Sequence, residues 1–492
     1  MLRKPDKKYF LAAVLLVLAV AFIAGCTGTS TTTQTSGNVS SAGTAAPSAG
    51  GSGSPPGGMM QGGNSSSQGG GTPPGSGSGP MSEGGPPGSS SSSSSYNFSG
   101  VYILNGGTAT ETNAKYISDT KDVSGVYVTN GGDLNLVNPT IVTSGDTSSN
   151  DASSFYGLNG AVLANSGSKV TITGGTISTT GSGSNGAIPT GSETSITLTD
   201  VTIKATGGGG HGVMATNGGI LTLMDVDIIT SGANGAPLAT DRGSGTVTAT
   251  GGTVLSSGID SPGIYSTGVI TVTDATVTAT GSEAAVIEGV NSIVLKNTTL
   301  TGGAEKTGGT MIYQSMSGDA DVGTGTITMT GGSYTSTAGP AFFITNTNAA
   351  ITLTGVKVSS KSDTLMKAAG TDRWGTSGKN GGTVTFIADG EKLTGSLVTD
   401  NISSIATTLR NSSALTGSIN SAALILDATS TWTLTGNSSL TSFSDAGGIS
   451  GTTITNIIGN GHTVTYDKSL AANIALGGQT YTLVNGGTLV AV

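Results

Sequence analysis

Alternating apolar and polar residues recur along the chain from about residue 98 to its end. The segment ITLTDVTI at 196–203 is typical, with apolar residues at every second position of each short run. Alternation over four to eight residues between Gly, Asn and Asp predicts β-strands. Beyond residue 26 there is no apolar stripe with helical spacing, so the sequence predicts an all-β protein.

The strands belong to an internal repeat. GVYVTNGGDLNLVNPTIVTSG begins at Gly125, GVMATNGGILTLMDVDIITSG at Gly212 and GIYSTGVITVTDATVTATG at Gly263. Successive units start 21 to 35 residues apart, and NGG corners recur where the chain must bend sharply. This period predicts a solenoid of roughly 12 to 14 coils, one per repeat. The longer steps indicate loops at 146–159 and 371–382.

In this repeat pattern, residues 98–492 resemble the right-handed parallel β-helices of the pectate-lyase-like superfamily, and more closely the adhesin-like surface proteins of bacteria and archaea. The resemblance implies an all-β, right-handed parallel β-helix over residues 96–419. Residues 420–492 resemble the closing coils of autotransporter-like passengers, and we interpret them as the final coils and a C-terminal cap.

The N-terminus has the features of a secretion signal. A cationic segment, MLRKPDKKYF, precedes the apolar run LAAVLLVLAVAFIA, which has the length of a secretory signal. The run ends in Ile23-Ala24-Gly25-Cys26, which resembles the lipobox of lipoproteins. The resemblance implies removal of residues 1–25, lipidation of Cys26 and a membrane-anchored protein on the outer face of the cell envelope. Cys26 is the only cysteine in the chain.

Residues 26–95 form a Gly/Ser/Thr/Pro-rich segment that cannot bury enough apolar surface to fold. We interpret it as a disordered tether with a reach of roughly 45 Å. The whole chain has 19 basic and 28 acidic residues. This acidic balance argues against nucleic acid as a partner, because nucleic acid requires a basic footprint.

Gly210-His211-Gly212 matches a short signature of polygalacturonases, which cut pectin on a parallel β-helix. The carboxylate and basic motifs that accompany it in those enzymes do not occur in this sequence. The same repeat position carries Ser124 and Pro262 in other coils. We therefore interpret the tripeptide as a coincidence, and both His211 and His462 as turn residues.

Two Asp-Arg dipeptides are candidates for catalysis: Asp241-Arg242 and Asp372-Arg373. Polysaccharide lyases with a β-helix fold use an arginine as base and aspartates to hold Ca²⁺, so the resemblance implies these four residues as catalytic candidates. The alternative is local Asp–Arg pairing that fixes a loop. Five coils separate the dipeptides, roughly 24 Å along the axis, so we expect two sites rather than one. Arg373 with Trp374 is a candidate sugar-stacking pair.

Paired acids are candidates for a cation site. Asp225 with Asp227, and Asp319 with Asp321, would point the same way if each pair lay in a strand. Either pair could then share Ca²⁺. The sequence indicates no other cofactor.

A column of residues in the first strand of each repeat is a candidate binding surface. Because a strand has two faces, alternate columns point in opposite directions, and one apolar column is either exposed or covered by loops. The predicted column contains Tyr127, Val162, Ile188, Met214, Pro237, Tyr265, Val286, Ile312, Phe342 and Met366.

Three functions are compatible with these features. The leading hypothesis is a lipid-anchored, non-catalytic adhesin or rod that binds polysaccharide or another surface. The second is a polysaccharide lyase or glycoside hydrolase on the same fold. The third is ice or crystal binding, because Thr-x-Thr units such as Thr171–Thr173 and Thr197–Thr199 resemble those of β-helical ice-binding proteins.

Overall fold

The computed structural model describes residues 96–315 and 317–492. The predicted signal peptide, Cys26 and the predicted tether lie outside these residues. The described chain is almost entirely β-structure wound into successive coils.

Each of the first ten coils contains three strands. Those of coils one to five are β1 (Ser99–Asn105), β2 (Thr108–Thr112), β3 (Lys115–Ser118), β4 (Val123–Thr129), β5 (Asp133–Val137), β6 (Thr140–Thr143), β7 (Val162–Asn165), β8 (Lys169–Thr173), β9 (Thr176–Thr179), β10 (Ala187–Thr190), β11 (Ser195–Thr199), β12 (Thr202–Ala205), β13 (Val213–Ala215), β14 (Ile220–Met224) and β15 (Asp227–Thr230). A short helix, α1 (Asn150–Tyr156), lies between β6 and β7 in the predicted loop.

Coils six to ten repeat the pattern. They contain β16 (Leu238–Thr240), β17 (Thr246–Thr250), β18 (Thr253–Ser256), β19 (Ile264–Ser266), β20 (Val269–Thr273), β21 (Thr276–Ala279), β22 (Ala285–Glu288), β23 (Ser292–Lys296), β24 (Thr299–Gly302), β25 (Thr310–Tyr313), β26 (Thr324–Thr330), β27 (Ser333–Ser336), β28 (Phe342–Thr345), β29 (Thr347–Thr354) and β30 (Lys357–Ser360).

The remaining strands continue the stack less regularly. They are β31 (Thr364–Ala368), β32 (Gly382–Asp389), β33 (Lys392–Thr394), β34 (Ser396–Thr399), β35 (Ser404–Arg410), β36 (Ala414–Thr416), β37 (Ile419–Leu426), β38 (Thr431–Thr433), β39 (Ser438–Asp445), β40 (Ile449–Ser450), β41 (Thr453–Ile458), β42 (Thr463–Tyr466), β43 (Tyr481–Val484) and β44 (Thr488–Ala491). A 3-10 helix (Ala471–Leu476) precedes β43.

Every strand of the regular coils pairs in parallel with its counterpart one coil away. Ile196 of β11, for example, lies opposite Val170 of β8 and Leu221 of β14. We call the ladders of first, second and third strands face 1, face 2 and face 3. Face 3 of coils one to ten is a separate ten-stranded sheet, and faces 1 and 2 belong to a 34-stranded sheet. The predicted all-β parallel β-helix is confirmed.

The interior is filled by the apolar residues of the alternating strands. Ile172, Leu198 and Leu223 stack in neighbouring coils of face 2 and are fully or almost fully buried. The corners use residues that tolerate positive φ, including Asn217 at 51°. At Gly212, an added Cβ would lie 2.3 Å from Ile228 Cγ2, so this corner requires glycine.

Face 2 carries the predicted threonines on its outer side. Thr171, Thr197 and Thr222 are opposite one another in successive coils, followed by Thr248 and Thr271. In the next coil, Val294 occupies this position instead of a threonine. Ice or crystal binding stays a prediction.

The register corrects the predicted apolar column of face 1. Tyr127 lies opposite Leu163, not Val162, because the unequal corners shift the alignment by one residue. A shift of one residue moves a side chain to the other side of a strand. Phe342 and Met366 consequently point into the core and are fully buried. The outer column is Tyr127, Leu163, Ile188, Met214, Ala239, Tyr265, Val286, Met311, Phe343 and Lys367.

The core predicts a large stability cost for truncation. Phe386 of β32 is fully buried, so Phe386→Ala should destabilise the fold by about 3–5 kcal/mol through lost burial and a cavity. Thr385→Ala, at the neighbouring exposed position, should cost less than about 0.5 kcal/mol. Urea unfolding of the two variants tests this, and equal midpoints would contradict the assignment of Phe386 to the core.

Candidate functional site

Three insertions interrupt the regular coils next to face 1. They are residues 144–161, which include α1, residues 314–323 between β25 and β26, and residues 369–381 between β31 and β32. The first is fastened to coil five, because the Phe155 carbonyl accepts hydrogen bonds from Thr216 Oγ1 at 3.0 Å and Asn217 Nδ2 at 2.7 Å. Because all three insertions border face 1, this face is the candidate location of a functional site.

The outer apolar column of face 1 is covered. Gly157, just after α1, packs so closely on Leu163 and Ile188 that a Cβ there would lie 2.5 Å from Leu163 Cδ1. Met214 is fully buried and Tyr265 is 5 % exposed, while Tyr127 is half-buried against Phe98. The column was predicted to be either exposed or covered by loops. It is covered over most of its length, so it does not offer an exposed apolar strip.

Glu288 is the centre of a buried polar cluster on face 1. Its Oε2 accepts hydrogen bonds from the Tyr265 hydroxyl at 2.8 Å and the Tyr313 hydroxyl at 2.9 Å. The Ser315 hydroxyl and backbone N–H donate to Oε1. Burial raises the pKa of both tyrosines well above the usual value, and the neighbouring carboxylate adds to this. Every oxygen of Glu288 is thus engaged by protein groups.

Arg242 joins two of the insertions. Its Nη2 lies 2.7 Å from Asp319 Oδ1, and its guanidinium lies 3.9 Å from the ring centroid of Phe155. Arg242 thus pairs with an aspartate 77 residues away rather than with the preceding Asp241, which corrects the predicted local pairing. Asp319 is buried, whereas the Arg242 side chain is 42 % exposed.

Asp241 is partly buried beside this ion pair. Its Oδ1 accepts a hydrogen bond from the Arg242 backbone N–H at 2.7 Å. Burial, and secondly the charge of Asp319, raise the pKa of Asp241 to about 8. Asp241 therefore favours its protonated form at neutral pH, next to the ion pair of Asp319 and Arg242.

The second Asp-Arg dipeptide lies at the other end of the same cluster. Arg373 stacks over the Trp374 ring at 4.8 Å, and Trp374 packs on Tyr313 at 5.1 Å between centroids. Trp374 is thus covered in part by two neighbours. The dipeptides make no direct contact, but Tyr313, Glu288 and Tyr265 form a continuous row between them. Asp372 is exposed.

The candidate cation pairs are not strand pairs. Asp225 lies in the turn before β15 with φ of 52°, and Asp227 accepts hydrogen bonds from Thr253. Asp319 is buried in the 314–323 insertion, whereas Asp321 is exposed, so they do not face the same way. Within residues 96–315 and 317–492, no group of three His, Cys, Asp or Glu side chains is placed to hold a metal ion.

His211 lies at a corner before β13, as predicted for a turn residue, and its side chain is buried. Its Nδ1 lies 3.2 Å from the Ala236 carbonyl, and its backbone N–H donates to Asn185 Oδ1. Burial lowers the pKa of His211 to about 4, so the ring is neutral at physiological pH. It is a structural residue of the corner. His462 is partly exposed at a turn.

A cavity of about 630 Å³ opens at the corner between face 3 and face 1, across coils eight to eleven. We call it the corner cavity. Its walls are the hairpin around Glu305 and Lys306, the turn 337–340, the corner 361–364 and the start of the third insertion at Gly370 and Thr371. Phe343, from the outer column, also lines it.

Sequence reasoning missed the corner cavity and the Glu288 cluster. A signal for the cluster was present, because Glu288 ends the otherwise apolar strand AVIE of β22. An acid in a strand of that type indicates a buried, paired carboxylate. The cavity has no such signal, since its walls come from four separate corners.

The chain matches no family model, no curated protein and no solved structure. Among the described residues, no helix is long and apolar enough to cross a membrane.

The raised pKa of Asp241 predicts a pH-dependent stability difference. The native state holds a proton on Asp241 between about pH 4 and pH 8, whereas the unfolded state releases it, so wild-type stability falls as pH rises through this range. The Asp241→Asn variant cannot lose a proton, and it should therefore gain stability relative to wild type from pH 4 to pH 8.

Urea unfolding at several pH values measures this difference. Asp225→Asn is the control at an exposed turn position. If the stability difference between wild type and the Asp241→Asn variant stays constant from pH 4 to pH 8, Asp241 is ionised in the native state and the prediction is wrong.

Proposed function

We propose that this protein is a lipid-anchored surface β-helix that binds glycans without cleaving them. The observation that carries the proposal is the corner cavity, whose volume of about 630 Å³ lies within the range of ligand sites. Its lining combines hydroxyl groups of Thr337, Ser362, Thr364 and Thr371 with the small exposed part of the Phe343 ring. Several hydroxyl groups beside a small apolar contact suit a sugar, which presents hydroxyl edges and C–H groups.

The N-terminal features support a surface role. A lipobox-like Cys26 followed by some 70 residues of Gly/Ser/Thr/Pro-rich tether would hold the β-helix away from a membrane. The resemblance of the repeats to adhesin-like surface proteins and to the pectate-lyase-like superfamily supports the same interpretation. The partners under this proposal are the membrane, through Cys26, and a polysaccharide or another envelope surface.

Co-sedimentation with insoluble and gel-forming polysaccharides of plant, microbial and host origin tests binding. We expect retention on at least one polymer, with its chain length unchanged. Ala338→Trp, which places an indole in the corner cavity, should reduce retention at least tenfold, whereas Ser192→Trp at an exposed corner of coil four should not. Failure of the wild type to bind any polymer would contradict the proposal.

A second candidate function is glycoside hydrolysis at Asp241. A carboxyl with a raised pKa beside a second carboxyl is the pattern of a general acid and its partner, and Asp241 beside Asp319 has this pattern. The Arg242 guanidinium is engaged by Asp319 and by the Phe155 ring, which favours hydrolysis over a lyase that needs a free arginine as base.

Chain-length measurement on the same polymers distinguishes the two functions. Under the leading proposal, polymers stay intact with the wild type and with Asp241→Asn. Shortening by the wild type that Asp241→Asn reduces by about 100-fold or more would establish the hydrolase instead. Arg373→Ala, at the other end of the cluster, is the matched control and should leave such an activity unchanged.

A further inference from the structure

Lysines converge on the corner cavity. Lys306 comes from the hairpin between β24 and β25, Lys361 from the corner after β30, and Lys367 from β31. All three are exposed, and all three line the cavity. They come from three different coils, so no local sequence feature unites them.

The charge at this cavity is opposite to that of the whole protein. The chain carries 28 acidic against 19 basic residues, yet the cavity is lined by three lysines and a single acid, Glu305. On a protein of net negative charge, a concave site lined by lysines attracts an anion locally. The lining thus selects for negative charge.

Hydrogen bonds and close packing fix the hairpin wall of the cavity. Ala304 and Gly308 exchange backbone hydrogen bonds of 2.9 and 2.7 Å, which close the hairpin that carries Lys306. The buried Thr307 hydroxyl donates to buried Glu283, which also accepts from Ser282 at 2.5 Å. Gly339 packs so closely that a Cβ would lie 2.5 Å from the Ala304 carbonyl oxygen. A preformed site loses little entropy on binding.

A largely buried aromatic ring lies beside the positive charge. Lys367 Nζ lies 5.8 Å from the ring centroid of Phe343, and both residues line the cavity. Phe343 and Lys367 occupy adjacent coils of the outer column of face 1. Phe343 is only 3 % exposed, so it contributes a small apolar contact rather than a stacking face, and the Lys367 ammonium supplies the polar group of this wall.

We propose that the corner cavity binds an acidic sugar, through its carboxylate or sulfate, with Lys306, Lys361 and Lys367 as the anion-binding residues. This inference rests on the proposed glycan-binding function and names the ligand class of its cavity. Ammonium groups form charge-assisted hydrogen bonds with anionic oxygens, and these are stronger than bonds to neutral hydroxyls. Glu305 opposes the anion and limits its affinity.

Calorimetric titration of the full chain tests the proposal with matched probes. The probes are uronic-acid oligosaccharides, the same oligosaccharides after reduction of their carboxyls to alcohols, and sulfated forms of the reduced compounds. We expect at least one anionic form to bind at least tenfold more tightly than its neutral counterpart. Comparison of the carboxylate and sulfate arms identifies which anion fits.

Three variants locate the binding. K306Q/K361Q/K367Q should weaken anionic binding at least tenfold, whereas K115Q/K204Q/K296Q removes the same charge at exposed positions outside the cavity and should change it less than twofold. Glu305→Gln should strengthen anionic binding. A purely structural role for these residues would not produce this gain. Unfolding midpoints of all variants report on folding.

Each remaining outcome overturns a defined part of the proposal. Equal affinity for neutral and anionic forms would refute the acidic-sugar ligand while leaving glycan binding intact. An equal loss in the two triple variants would show that the whole protein's charge, not the cavity, governs binding. Binding to none of the probes, together with no retention on any polysaccharide, would refute the glycan-binding function as well.

Discussion

The structure depends on parallel backbone pairing between successive coils. Strands of neighbouring coils lie about 4.8 Å apart, so each side chain has a counterpart directly above and below it. This geometry favours stacks of similar side chains in neighbouring coils, as in the apolar stack of Ile172, Leu198 and Leu223. It also makes any buried polar group costly unless a partner in the next coil satisfies it. Glu288 and Tyr313, which are opposite each other in adjacent coils, satisfy that requirement.

Face 1 departs from the regular repeat because the three insertions lie next to it. Faces 2 and 3 keep their alternation, whereas insertions cover the outer side of face 1 and bring in Phe155, Asp319 and Trp374. These residues meet side chains of the regular strands and create an interior outside the coil. The polar groups in that second interior are largely paired with one another. The corner cavity lies beside it, where the insertions end and the lysines of three coils meet.

Alternation and period were enough to predict an all-β solenoid, because they report directly on which side chains face inward, and the resemblance of the repeats added the parallel β-helix. They could not fix the register of face 1, where corners of unequal length displaced Phe342 and Met366 by one position. They also could not predict the partner of Arg242, since an ion pair over 77 residues depends on how an insertion folds back. For the same reason, the sequence did not predict the corner cavity. Its residues are close only because coils eight to eleven are stacked, and single repeats contain none of its geometry.

The contact of Arg242 with both Phe155 and Asp319 also affects how the molecule comes apart. A simple solenoid is a one-dimensional array in which each coil is held only by its neighbours, so it can unravel from an end one coil at a time. Here the insertion before coil three is joined to coil six, and coil six is joined to the insertion within coil nine. A pull along the axis must therefore break distant links together with local ones. We therefore expect coils three to nine to unfold more cooperatively than a simple solenoid of the same length.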